Sequence, residues 1–174
     1  VKAKTNTTIS EIAKKQIEES KYPVVGAIFN NEYKNLDDEL QEDGTLELIN
    51  INSKEGMKIY VRTIVYIMGK AFESLYPKEK LMVEYQLGNA MFCKCDNIPI
   101  TKEFINNLKE KMQEIIDKNL EITKVEMTRE EAKEFYKKTD TSKGRLQFDF
   151  KENKEIYMYY CEKYYNYCYG VLSN

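Results

Sequence analysis

An α+β fold with an antiparallel sheet is what this sequence predicts, and three observations carry the prediction. Helical and strand patterns follow one another in the order α-β-β-α-β-α-β-β through the larger, C-terminal part of the chain. Two pairs of strand-like runs are joined by the turn dipeptides Asn30-Asn31 and Gly88-Asn89, which signal hairpins. The third observation is composition. Of 174 residues, 42% are hydrophobic and 32% charged, which suits a soluble core-forming chain. Neither repeats nor low-complexity linkers interrupt it.

The elements follow from local chemistry. Thr8 and Glu11 form a capping box ahead of Ile9, Ile12, Ala13 and Ile17, which recur at helical spacing. Pro23 ends that pattern, and the run from Val24 to Phe29 reads as a strand returning through Glu32–Lys34. Asp37 to Gly44 is an acidic turn region, and Leu46 to Ile51 is the next strand. The polar stretch from Asn52 to Gly56 marks a domain boundary, giving domains 1–53 and 54–174. A long helix then spans Met57 to Tyr76, with Ile64, Met68, Phe72 and Leu75 predicted to face the core; Pro77 stops it. Leu81–Gln86 and Ala90–Cys95 are the hairpin strands, and Thr101 caps a helix carrying Phe104, Ile105, Leu108, Met112, Ile115 and Ile116. A strand near Leu120–Met127 leads to a helix capped by Thr128 and Glu131. Leu146, Phe148 and Phe150 alternate with polar residues as a half-buried strand, before a tyrosine-rich end.

What the chain lacks narrows its chemistry. With no histidine, it holds no Ser-His-Asp triad, Cys-His dyad or histidine-ligated metal. No phosphate-cradling G-x-x-x-x-G-K-[ST] or G-x-G-x-x-G occurs. A net charge of −2 argues against a strongly basic nucleic-acid clamp but leaves room for a local patch. Arg62 interrupts the best apolar run, so no membrane partner is expected, and without a signal-peptide pattern the expected compartment is the cytoplasm.

Three constellations remain. Cys93, Cys95, Cys161 and Cys168 would make a four-thiolate zinc site, but neither pair has C-x-x-C spacing, which favours ordinary buried thiols and no metal. Seven tyrosines between Tyr157 and Tyr169 suit either a stacking platform for bases or strands with one buried face, and strands favour aromatics. Arg129, Lys133 and Lys137 stand at i, i+4 and i+8 on one helix as candidate RNA contacts, although neighbouring glutamates make a solvated face the simpler reading.

The stretches TTISEIAKKQ, VVGAIFNNEYKNLDDEL and DGTLELI make residues Thr5 to Ile51 resemble a TGS domain, the ubiquitin-like β-grasp module of threonyl-tRNA synthetases and certain nucleoside kinases. Through RTIVYIMGKAFESLYP, LKEKMQEIIDKNLEITKVEMTREEAKEFY and YYCEKYYNYCYG, residues Gly56 to Asn174 resemble the second additional domain of threonyl- and alanyl-tRNA synthetases. The resemblance implies a β-grasp domain followed by an α+β domain whose antiparallel sheet is packed by helices. In the synthetases that second domain carries H-x-x-x-H and C-x-x-x-H as its editing site. Those positions fall here on Arg62, Tyr66, Cys168 and Leu172, so three of four groups are absent and no catalytic residue remains.

GMKIYVRTIVYIMGKAFESLYP and YNYCYG look closer to bacterial uridine kinase-like proteins of the phosphoribulokinase/uridine kinase family. That implies a non-catalytic module, sensing a small-molecule or nucleotide ligand, in a parent nucleoside kinase. ATP and Mg²⁺ would bind only in a kinase domain C-terminal to this chain, which would also be its partner. The alternative is a synthetase-related tRNA- or RNA-binding module without editing activity. Arg62, Tyr66 and Lys70 share one stripe of the long helix. Arg62 and Lys70 are therefore candidate anion-binding residues, and a phosphate or a carboxylate, of a ligand or of this chain, is expected to meet Arg62.

Overall fold

The computed structural model describes residues 7–88, 90–138, 155–168 and 170–173. The fold is α+β, with two compact units. One unit runs to Ile64 and takes back the end of the chain from Cys168; the other spans Val65–Tyr167.

The first unit begins with β1 (Thr7–Thr8), α1 (Ile9–Ile12) and α2 (Lys14–Glu18). The capping box forms as predicted: Glu11 N–H donates to Thr8 Oγ1 at 3.3 Å, and Thr8 N–H donates to the Glu11 carboxylate at 3.1 Å. The single helix expected here is instead two short ones, broken at Ala13. β2 (Val24–Phe29) turns through Asn30 and Asn31, both in the left-handed region with φ 48 and 68°, into β3 (Glu32–Lys34). Positive φ at both central residues matches the right-handed twist of the strands. β4 (Glu39–Leu40) pairs with β1, and β5 (Leu46–Asn50) pairs with β2, giving the antiparallel order β3-β2-β5. β2 is apolar throughout because both its faces are covered. Ala27 and Phe29 pack with Ile9 and Leu40, while Val25 and Ile28 pack with Ile49, Ile59 and Val171.

Helix α3 (Lys54–Leu75) starts earlier than predicted, because Ser53 Oγ accepts from Gly56 N–H at 2.9 Å. The two units divide inside this helix rather than at residue 53. Ile59 belongs to the core of the first sheet, so the opening turns of α3 stay with it.

The second unit contains the hairpin β6 (Met82–Leu87) and β7 (Ala90–Lys94), then α4 (Lys102–Asp117), capped by Thr101. β8 (Thr123–Thr128) runs into α5 (Arg129–Lys138) through the Thr128–Glu131 capping box. β9 (Glu155–Cys161) and β10 (Tyr164–Tyr167) complete an antiparallel sheet in the order β10-β9-β8. The strand predicted at Leu146–Phe150 lies outside the described residues. The tyrosine-rich end is buried on both faces, not one. Ile156 and Met158 pack on Ala132 and Tyr136 of α5, whereas Tyr159 and Tyr164 meet the ring of Tyr66 from α3. Among the described residues no helix is long and apolar enough to cross a membrane.

Candidate functional site

A 3.6-residue period brings Arg62, Tyr66 and Lys70 onto one stripe of α3. Sequence reasoning turned the opposite stripe inward. Of that stripe Phe72 is buried as expected, but Ile64, Met68 and Leu75 are only half-buried, while Tyr66 is 1% and Lys70 6% exposed. The β9-β10 hairpin sits on the Tyr66 side and covers it.

Within the second unit the two buried polar groups are satisfied by this hairpin. Tyr66 Oη lies 3.1 Å from the Tyr159 carbonyl and 3.3 Å from that of Tyr164, so its single proton is shared between them. Lys70 Nζ donates to the Cys161 carbonyl and to Glu162 Oε2, both at 2.9 Å. Glu162 occupies the tight turn with φ 55°. The hydrogen bond from Lys70, then its charge, holds the Glu162 carboxyl below its ordinary pKa, with Lys118 and Lys111 adding smaller effects. Burial pushes the Cys161 thiol up. Lys111 and Lys118 hydrogen-bond Glu114 and pull its pKa down to about 2.

These shifts set a direction with pH. A carboxylate depressed in the folded state stabilises above its unfolded pKa of about 4.3, and that contribution is lost as pH falls through the folded value. The thermal midpoint is therefore expected to drop on acidification from about pH 5 to pH 3. In Glu162→Gln the part of the drop due to this pair should disappear; an unchanged profile would refute the Lys70–Glu162 coupling.

In the first unit, Arg62 Nη1 donates to the Val171 carbonyl at 2.6 Å. The guanidinium lies against Gly170, where a Cβ would come within 2.9 Å of Nη1. Next to it Thr63 Oγ1 donates to the Ile59 carbonyl and accepts from Ser173 N–H at 2.8 Å. The partner the structure gives Arg62 is thus a backbone carbonyl, because the segment around Val171 reaches the guanidinium. The carboxylate partner belongs to Lys70 instead. Leu172 is 1% exposed and Cys168 half-buried in the same unit.

The remaining candidates are not assembled into a centre. Cys93 and Cys95 are half-buried and Cys161 is buried; among the described residues no three Cys, Asp or Glu side chains are grouped to hold a metal. Of the three candidates on α5, Arg129 and Lys133 are half-buried and Lys137 is exposed. The polar pair Tyr66 and Lys70, set among apolar neighbours, was the available signal for the hairpin contacts.

No family model matches the chain. It is similar to the threonine-tRNA ligase of Caldanaerobacter subterraneus subsp. tengcongensis, at 30% identity over 165 residues, covering 94% of this chain and 26% of that one. The threonine-tRNA ligase of Clostridium tetani is 32% identical over 137 residues, 78% of this chain and 21% of its own length. That of a Geobacillus species is 28% identical over 167 residues, 95% of this chain and 26% of its own length. The chain spans about a quarter of the length of these curated relatives. They favour the synthetase-related reading, and the expected kinase parent draws no support from them. What the chain resembles is a segment of threonine-tRNA ligases.

Proposed function

We propose that the chain is a synthetase-related module that contacts tRNA and lacks editing activity. The observation that carries this reading is the hydrogen bonding of the Tyr66 stripe. By resemblance, an editing site would need a histidine at position 66. Here a buried phenol binds two backbone carbonyls, and Lys70, one turn on, binds a third. Such groups hold the hairpin in place and offer no base to a substrate. The similarity to threonine-tRNA ligases supports tRNA as the partner. Contact through a local basic patch, with Lys137 exposed on it, accommodates the net charge of −2.

The purified chain should bind tRNA with an affinity that falls as salt rises, and Lys137→Glu should weaken it several-fold. Seryl-tRNA should be deacylated no faster than in buffer. Absence of salt-sensitive tRNA binding would remove the partner, and deacylation above buffer would remove the non-editing reading.

A further inference from the structure

The second unit contains a cavity of about 230 Å³ that the tRNA reading does not use. Phe72 of α3, Phe135 and Tyr136 of α5, and Tyr164 and Tyr165 of β10 surround it with five aromatic rings. Gly69 keeps the α3 wall back, because a Cβ there would collide with the Tyr164 hydroxyl.

One amide is set into this aromatic wall. Asn166 Nδ2 donates to Tyr164 Oη at 3.0 Å, and its Oδ1 accepts from Tyr136 Oη at 3.2 Å. The two hydroxyls fix the orientation of the amide. They leave it one N–H and one lone pair, neither with a partner among the described residues. The rim carries both signs of charge: carboxylates from Glu73 and Glu79, ammoniums from Lys80 and Lys163.

Size and chemistry together narrow the ligand. An apolar cavity of about 150 Å³ accepts benzene, so this larger one takes a six-membered ring with a short polar tail. Aromatic walls favour an aromatic ring in edge or offset contact. A nucleobase would use the rings but not paired charges of opposite sign. A zwitterion uses both, its ammonium meeting the carboxylates and its carboxylate the lysines. We propose that this cavity binds a free aromatic α-amino acid, ring inside and zwitterionic head at the charged rim. The site is separate from tRNA contact, and neither proposal depends on the other.

Calorimetric titration of the full chain with L-phenylalanine and L-tyrosine tests it, with N-acetyl-L-phenylalaninamide and adenosine as comparisons. One aromatic amino acid should bind saturably at one per chain, at least tenfold more tightly than either comparison compound. Met82→Trp, which fills the cavity from its lining, should abolish binding with unchanged far-UV circular dichroism. No saturation by about 10 mM would overturn the proposal. So would equal binding of the capped amide or adenosine, or full binding by folded Met82→Trp. Should Met82→Trp not fold, the Asn166 side-chain amide resonance of the wild-type chain decides: it shifts on addition of ligand if the site is right and stays put if it is not.

Discussion

Tyr66→Ala is expected to lower folding stability by about 3–5 kcal/mol, the range for truncating a buried aromatic residue. Tyr66 is 1% exposed and makes edge contacts with Tyr159 and Tyr164, at centroid separations of 6.4 and 5.1 Å. Its hydroxyl also serves two carbonyls of the hairpin. Tyr66→Phe keeps the rings in contact and leaves those carbonyls without the phenol, so it should cost about 1–3 kcal/mol. Urea-induced unfolding of the two variants separates packing from hydrogen bonding. Equal midpoints for Tyr66→Phe and the parent would mean that the phenol proton contributes nothing, and the structural role argued for position 66 would fall.

Leu172→His, which restores an imidazole where the resemblance places the last editing histidine, is expected to destabilise the chain rather than revive a site. Leu172 is 1% exposed, and loss of a buried leucine side chain alone costs about 2–5 kcal/mol. Burying an imidazole adds the cost of its polar nitrogens. Burial lowers the imidazole pKa below its ordinary value of about 6.5. The unfolded chain then binds the proton more readily, so the variant should lose further stability as pH falls below about 6.5. The parent has no histidine to titrate in that range. A Leu172→His midpoint equal to that of the parent between about pH 5 and 7 would show that the position is open to solvent.

Much of the fold was legible because its signals are local. Thr8 with Glu11, Thr101 and Thr128 with Glu131 each announced a helix start through hydrogen bonds that close within three residues. The Asn30-Asn31 hairpin was equally plain, since few residue pairs accept two left-handed conformations. The inward face of α3 was legible only at Phe72, because apolar periodicity marks residues that want burial, not what a distant segment will cover. Tyr66 and Lys70 are buried by a hairpin more than ninety residues away, and the carbonyls that satisfy them have no side-chain signature. The same limit hid the partner of Arg62. A guanidinium announces itself in sequence, but a backbone carbonyl does not.

The packing of Val171 against Val25, Ile49 and Ile59 has a kinetic consequence. Arg62 reaches the Val171 carbonyl across 109 positions of sequence, so the first core is finished by a residue translated long after its sheet. Closing a loop of that length costs about 4 kcal/mol of chain entropy in the ideal case, recovered only when the intervening unit has brought its ends together. During synthesis the early sheet therefore waits, with Val25, Ile49 and Ile59 lacking part of their cover, while the whole second unit is translated. Such high contact order slows the final docking step and lengthens the interval in which this apolar face meets other chains.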